Sequence, residues 1–276
     1  MANKRIYIGY DDRESHFYEL CKHSILEHAS EPVDIIPLKH KDLRNRGLFT
    51  RGWTINGQNG QMSCNVDNRT FSVQFSHTRF LVPELDKILY PKDHDNRHVL
   101  FVDCDFIFTG DVILAFKEAE KQGKPVSVVK HNFVPTNTVK MDNIEQTRYE
   151  KKLWTAFMFF DVDAETDLTV DYVNHEDGRN LHQFKWLVNG DDDIGSISEG
   201  WNFIPDHSEE RVAPADIGAV HYTEGGPCLE GYEDCTLAFV YYQAEKKYFA
   251  LKYLETHQEE FHAARAQLAG IKNAKV

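Results

Sequence analysis

A chain of 276 residues, 41% of them hydrophobic, is long enough to bury one sizeable core. Its formal net charge of -13 repels polyanions, so contact with nucleic acid would need a local basic patch. Cys21, Cys64, Cys104, Cys228 and Cys235 form an odd, scattered set without a CxxC pair, which fits free thiols in a reducing cytoplasm better than a disulfide framework or a zinc site. The opening residues lack a signal-peptide core and no apolar run could span a bilayer, so a soluble cytoplasmic protein is expected.

In chain order, "RIYIGY" reads as a strand. The sequence after it puts Phe17, Leu20, Cys21, Ser24, Ile25 and His28 on one helical stripe, with Asp11 and Glu14 as a capping pair. "VDIIPL", "HVLFVDCD", "PVSVVKH" and "AFMFFDV" are further strands, separated in several places by helical patterns such as "VILAFKEAEKQ". Continuous apolar strands alternating with helices predict an α/β fold: a mainly parallel sheet flanked by helices, with ligands at the strands' carboxyl ends. Residues 39–70 lack a sustained period, are rich in Gly, Asn and Arg, and read as a long surface loop carrying Lys39, Lys41, Arg44, Arg46 and Arg51. Helical sequence closes the chain, and its aromatic residues Phe239, Tyr242, Phe249 and Tyr253 read as packing surface. The expected organisation is one domain over 1–233 with the 39–70 insertion, and a helical extension over 234–276 packed on it.

Side chains alternate along a strand, so Asp103 and Asp105 share a face and Cys104 takes the other. Neighbouring carboxylates either share a proton or are held ionised by a cation, and hard oxygen ligands suit Mn²⁺ or Mg²⁺. Asp93/Asp95, Asp161/Asp163 and Asp191/Asp193 have the same spacing, but a polar turn surrounds the first and Asp163 leads towards a helix. A HAD-type phosphatase also ends a strand with D-x-D, and "NGDDDIG" could pass for its later acidic motif. Phe106 and Ile107 do not suit its phosphoryl site, and a whole βαβ segment precedes the motif.

With "IGYDDRESHFYELCKHSILEHA", "SHTRFLVPEL", "DCDFIFTGDV", "NGDDDIGSISEGWNF" and "AVHYTEGGP" in this order, the sequence resembles retaining GT-A glycosyltransferases of the glycogenin and bacterial lipopolysaccharide galactosyltransferase group. The blocks "VVKH", "KMD", "DDDIG" and "HYTEGGP" resemble bacterial and phage-encoded relatives more closely still. The resemblance implies a GT-A fold, a nucleoside-diphosphate sugar donor, most simply a UDP-sugar, and a divalent metal on Asp103, Asp105 and His221. It implies Tyr10, Asp11, Arg13, Arg79 and Cys104 as donor-binding residues, and Asp191 and Asp192 as catalytic residues beside the anomeric carbon. Departures from the family concern the diphosphate and the sugar. The lysine expected after the histidine segment is missing, which leaves Gly225, Gly226, Lys130 or His131 to meet phosphate, and Thr155 and Asp192 replace residues common in the family. The acceptor stays open between a bacterial surface glycan, a protein and a hydroxylated pyrimidine of modified phage DNA. The basic segment with Arg44, Arg46 and Arg51 tips the reading slightly to DNA. The compartment would be bacterial cytoplasm, or the host's if phage-encoded. The rival of another class is a sugar-binding module that has lost turnover.

Overall fold

The structure, a computed structural model, describes residues 3–57, 61–91, 97–132, 139–140, 144–145 and 151–258. The Asp93/Asp95 turn, most of "KMD" and the helical sequence expected beyond 258 lie outside these residues. The main strands are β1 (Lys4–Gly9), β2 (Val33–Leu38), β3 (Trp53–Ile55), β4 (Met62–Cys64), β5 (Thr70–Phe71), β6 (His98–Val102), β7 (Phe106–Phe108), β8 (Val126–Val128), β9 (Phe157–Asp161), β10 (Ile194–Ser196) and β11 (Ala219–His221). The helices used below are α1 (Ser15–His28), α2 (His40–Asn45), α3 (Val82–Leu89), α4 (Val112–Gln122), α5 (Val170–His175), α6 (Gly178–His182) and α7 (Ala238–Thr256).

Six strands form the central sheet in the order β10-β8-β9-β6-β1-β2. β1 runs parallel to β2 and β6, and β10 parallel to β8, while β9 is antiparallel to both of its neighbours. The expected mainly parallel, helix-flanked sheet is therefore present, with one reversed strand. Val99, Leu100, Phe101 and Val102 are all fully buried, as a strand covered on both faces requires. α1 buries Phe17, Tyr18, Leu20, Cys21, Ser24 and Ile25, so Tyr18 joins the expected stripe and His28 stays half-buried. Asp111 caps α4 by accepting from the Ile113 N–H, and Gly123 closes it in the left-handed region at φ 57°. Among the described residues no helix is long and apolar enough to cross a membrane.

Two expectations need correction. Residues 39–70 are not a structureless loop: they form α2 and the antiparallel sheet β3-β4-β5. Their polar composition misled because two of the arginines, Arg51 and Arg44, have partners inside the region. The Arg51 guanidinium is buried and donates to the Val173 carbonyl at 3.0 Å, the Glu176 carbonyl at 2.5 Å, and Cys64 Sγ and Asp67 Oδ2 at 3.1 Å each. Arg44 stacks over Phe49 and Trp53. The second correction concerns α7, where Phe239, Tyr242, Phe249 and Tyr253 are exposed and Tyr241 is the buried ring, set against Phe17 and Tyr222.

Candidate active site

β6 delivers Asp103 to the carboxyl edge of the sheet, where its N–H donates to the Ala156 carbonyl at 2.9 Å. The chain turns through Cys104 and Asp105 into β7, which pairs antiparallel with β11 in a register that sets His221 against Phe106. The His221 ring stacks on Phe106 at 4.1 Å and brings Nε2 to 3.3 Å from Asp105 Oδ1. One ligand atom from each of Asp103, Asp105 and His221 lies within 4.8 Å of the others.

The surroundings fix what this trio can do. Asn202 Nδ2 donates to the Leu153 carbonyl at 3.4 Å, which turns Asn202 Oδ1 towards His221 Nδ1 at 2.8 Å. Nδ1 therefore carries the proton in the neutral ring, and Nε2 presents its lone pair to a carboxylate oxygen. That buried Nε2 makes no hydrogen bond. Two acceptors facing one another at this distance fit a shared cation, and the two carboxylates with one imidazole suit Mn²⁺ or Mg²⁺. Asp103 is held from its other side by Arg79 Nη1 at 2.9 Å, which also donates to the Thr155 carbonyl at 2.7 Å.

The two aspartates line a cavity of about 580 Å³ together with Arg13, Glu14, Lys152 and Thr155. Asp11 is fully buried and does not line it. Asp11 Oδ1 accepts from the backbone N–H of Arg13 and both of its oxygens accept from the Arg13 guanidinium, fixing that cation on the wall. Burial opposes ionisation of Asp11, yet these bonds and the Gln74 N–H hold its carboxyl below the ordinary range. Thr155 Oγ1 stands 2.8 Å from His182 Nδ1, and both residues line the cavity.

Other expected site residues sit elsewhere. Tyr10 packs edge-on against Tyr18 beneath the Lys39 ammonium, and Lys130 donates to the Ile194 carbonyl at 2.7 Å; neither lines the cavity. Cys104 is buried behind the motif, its thiol 3.3 Å from Glu14 Oε2 and pushed well up by burial and the neighbouring carboxylates. Gly225 and Gly226 shape the loop after His221: a Cβ on Gly226 would meet Phe17 at 2.4 Å, and one on Gly225 would meet the Tyr232 ring at 2.6 Å. Their neighbours Thr223 and Leu229 reach the cavity instead. Asp191 and Asp192 are exposed in the turn before β10 and outside the lining residues; Asp191 is ion-paired with Lys151. As a surface for an acceptor, the basic segment fails at Arg51, which is buried, and Arg44 is stacked and hydrogen-bonded to the Arg51 carbonyl, leaving Arg46 exposed.

Sequence reasoning missed three residues. Asn202 orients His221, Lys152 is a cation on the wall, and Glu14 places a carboxyl there instead of capping α1. Burial, with the charges of Asp105 and Asp11, pushes Glu14 up to about 7.

No protein-family model matches the chain. It is similar to several solved structures, among them the apo form of the bifunctional glycosyltransferase WbbM, at 14% identity and a TM-score of 0.48 over 88% of this chain. An active-site mutant of LgtC gives 11% identity and a TM-score of 0.48 over 88% of this chain and 95% of that one. The glycosyltransferase GlyE of Streptococcus pneumoniae TIGR4, in its apo form, gives 11% identity and a TM-score of 0.49 over 93% of this chain and 64% of that one. The chain spans 49% of the length of WbbM. In sequence it is 34% identical over 248 residues to Protein CDI of Arabidopsis thaliana, covering 88% of this chain and 86% of that plant protein. With that identity across most of both sequences, the chain belongs to the family of Protein CDI.

Proposed function

We propose that the chain is a metal-dependent glycosyltransferase that takes its sugar from a nucleoside-diphosphate sugar, most simply a UDP-sugar. The observation that carries this reading is His221 Nε2, buried without a hydrogen bond and facing Asp105 on the wall of a cavity that also holds Asp103. In this reading Asp103, Asp105 and His221 hold Mn²⁺ or Mg²⁺. The bound cation would offset the charge that develops on a departing nucleoside diphosphate. Arg79 keeps Asp103 aimed at the cation, Asn202 does the same for His221, and Arg13 adds a fixed positive charge to the wall.

Retention belongs to the proposal and rests on the resemblance of the motifs. Asp191 and Asp192 stand outside the cavity, which favours same-face attack over a covalent aspartyl intermediate. The acceptor oxygen then bonds to the anomeric carbon as the bond to the diphosphate oxygen breaks, and that oxygen takes the acceptor proton. The acceptor is a hydroxyl on a glycan or protein. DNA loses the motive that a basic surface segment gave it, since Arg51 is buried.

The test is proton NMR of the wild type with a panel of sugar nucleotides and Mn²⁺. The expected result is slow metal-dependent cleavage of one donor, giving an α product from an α donor, absent from Asp105→Asn. No cleavage of any donor, or cleavage indifferent to Asp105, would overturn the assignment.

A further inference from the structure

Thr155 is only 3% exposed and lines the cavity, and its hydroxyl is set by a neighbouring ring. Oγ1 stands 2.8 Å from His182 Nδ1, a pairing in which either atom can hold the proton. The rest of the ring decides between them. His182 also hydrogen-bonds to the backbone of Ser76, whose N–H already donates to the Val73 carbonyl at 3.0 Å, so Ser76 offers its carbonyl. A carbonyl only accepts, which puts the ring proton on Nε2. Burial, then the Arg79 guanidinium, holds the ring well below its ordinary pKa and therefore neutral. Nδ1 is thus a bare acceptor, and the Thr155 hydroxyl donates to it. Phe80 meets the same ring edge-on at 5.1 Å and holds it in place.

With its proton committed to His182, the Thr155 hydroxyl offers a ligand lone pairs only. Arg79 Nη1 reaches one of them at a long 3.5 Å, and a hydroxyl oxygen has two. Such an oxygen repels phosphate oxygens and suits a group that brings its own proton, a hydroxyl or an N–H. Its place says which part of a ligand meets it. Arg79 Nη1 bridges the Asp103 carboxylate at 2.9 Å and the Thr155 carbonyl at 2.7 Å, and the next carbonyl, that of Ala156, accepts from the Asp103 N–H at 2.9 Å. Thr155 therefore stands beside the cation site, where the group carried by a cation-bound diphosphate lies. We propose that Thr155 Oγ1 selects the donor sugar by accepting from one of its hydroxyls, and that His182 is the positioning residue that keeps Thr155 an acceptor there. The inference rests on the metal-dependent donor reading above and deepens it. The donor sugar carries a proton-bearing group at the position that meets Thr155, and a deoxy or fluoro sugar at that position is disfavoured.

Calorimetry on the full chain in saturating Mn²⁺ tests this, using UDP, a panel of UDP-sugars, and then the monodeoxy and monodeoxyfluoro forms of the sugar nucleotide that binds tightest. Fluorine fills the place of a hydroxyl but brings no proton. Thr155→Val should weaken the intact sugar nucleotide about 3- to 10-fold, the scale of one neutral hydrogen bond, with a smaller effect on UDP. It should also erase, at one ring position, the preference of the wild type for hydroxyl over hydrogen or fluorine. Thr155→Ser should recover most of that preference. His182→Phe, which releases the Thr155 proton, should narrow the hydroxyl-to-fluorine difference at the same position and leave it unaltered in the Thr155→Val background, which a merely structural role would not produce. His182→Asn, whose amide oxygen can stand in for Nδ1, should restore the difference. Thr155→Ala and His182→Leu carry the same comparisons if the first variants do not fold. Undiminished hydroxyl preference in Thr155→Val, or an equal loss for UDP itself, would overturn the inference and leave the donor reading standing. An unchanged preference in His182→Phe would overturn the role of His182. Failure of the wild type to bind UDP or any UDP-sugar in Mn²⁺ would instead remove the donor reading, and the inference with it.

Discussion

Asn202 shows how much of the site depends on one buried amide that touches no ligand. Its carboxamide fixes which nitrogen of His221 carries the proton, and it is fully buried. Asn202→Ala should therefore weaken Mn²⁺ binding by about 10- to 100-fold, the usual effect of losing a residue that orients a metal ligand. It should also lower stability by about 1–3 kcal/mol, because the Leu153 carbonyl and His221 Nδ1 lose their partner. A metal titration and a denaturant melt check the two effects, and unaltered Mn²⁺ affinity would show that His221 needs no such support. Asp103 and Asp105 were legible in the sequence because two carboxylates close an apolar strand, but β6 stops at Val102 and a turn, not strand alternation, brings them to the cavity. His221 was reachable only through the resemblance of its segment, since its meeting with Asp105 depends on the pairing of β7 with β11. Lys152 was not legible at all: it lines the cavity between two left-handed residues, Lys151 and Leu153, a backbone that no residue type there announces.

At the level of elements, apolar runs revealed the strands but not their direction. β9, buried on its inward and outward sides alike, carries the same "FMFF" pattern whether it runs parallel or antiparallel. Residues 39–70 failed for the opposite reason, because short strands and a one-turn helix held by side-chain hydrogen bonds have no periodicity to read. The Arg51 side chain ties this region to the end of α5 through the carbonyls of Val173 and Glu176, beside the Asn174 amide, which bonds to the backbone of Leu48 and Thr50. Arg51→Met removes the side-chain donor from those carbonyls and the cation from Asp67, which keeps the N–H groups of Gly178 and Arg69, and should cost about 3–5 kcal/mol, as does breaking a buried ion pair. Arg46→Ala, on the exposed side of the same region, should stay within about 0.5 kcal/mol. Chemical denaturation of the two variants separates them, and equal midpoints would mean that the 39–70 region is not fastened through Arg51.

For the whole molecule, the buried titratable groups set how stability follows pH. Burial drives His77 down to about 3 and His131 to about 4, and His182 well below its ordinary value, with nearby arginines adding to the effect on His77 and His182. These rings stay neutral in the fold, while in the unfolded chain they take up protons below about pH 6.5. The unfolded state then binds more protons, so the stability present above pH 6.5 is lost as pH falls towards 4 and 3. Glu14 runs the other way: with its carboxyl raised to about 7 by burial, its contribution falls as pH rises from about 4.5 to 7. Three histidines outweigh one carboxyl in that window, so melting temperature should rise from pH 5 to 6.5, and Glu14→Gln should steepen the rise. A flat or falling profile for the wild type, or an unchanged slope in the variant, would contradict this balance.

The central claim is that Asp103, Asp105 and His221 form one cation site. Electron paramagnetic resonance of the protein titrated with Mn²⁺ tests it most directly, because the spectrum counts bound ions and its nitrogen modulation reports an imidazole ligand. The account predicts one tight site in the wild type, lost in Asp105→Asn, with the nitrogen signal absent from His221→Gln. Mn²⁺ bound with equal strength by Asp105→Asn, or a wild-type spectrum without nitrogen coupling, would contradict it.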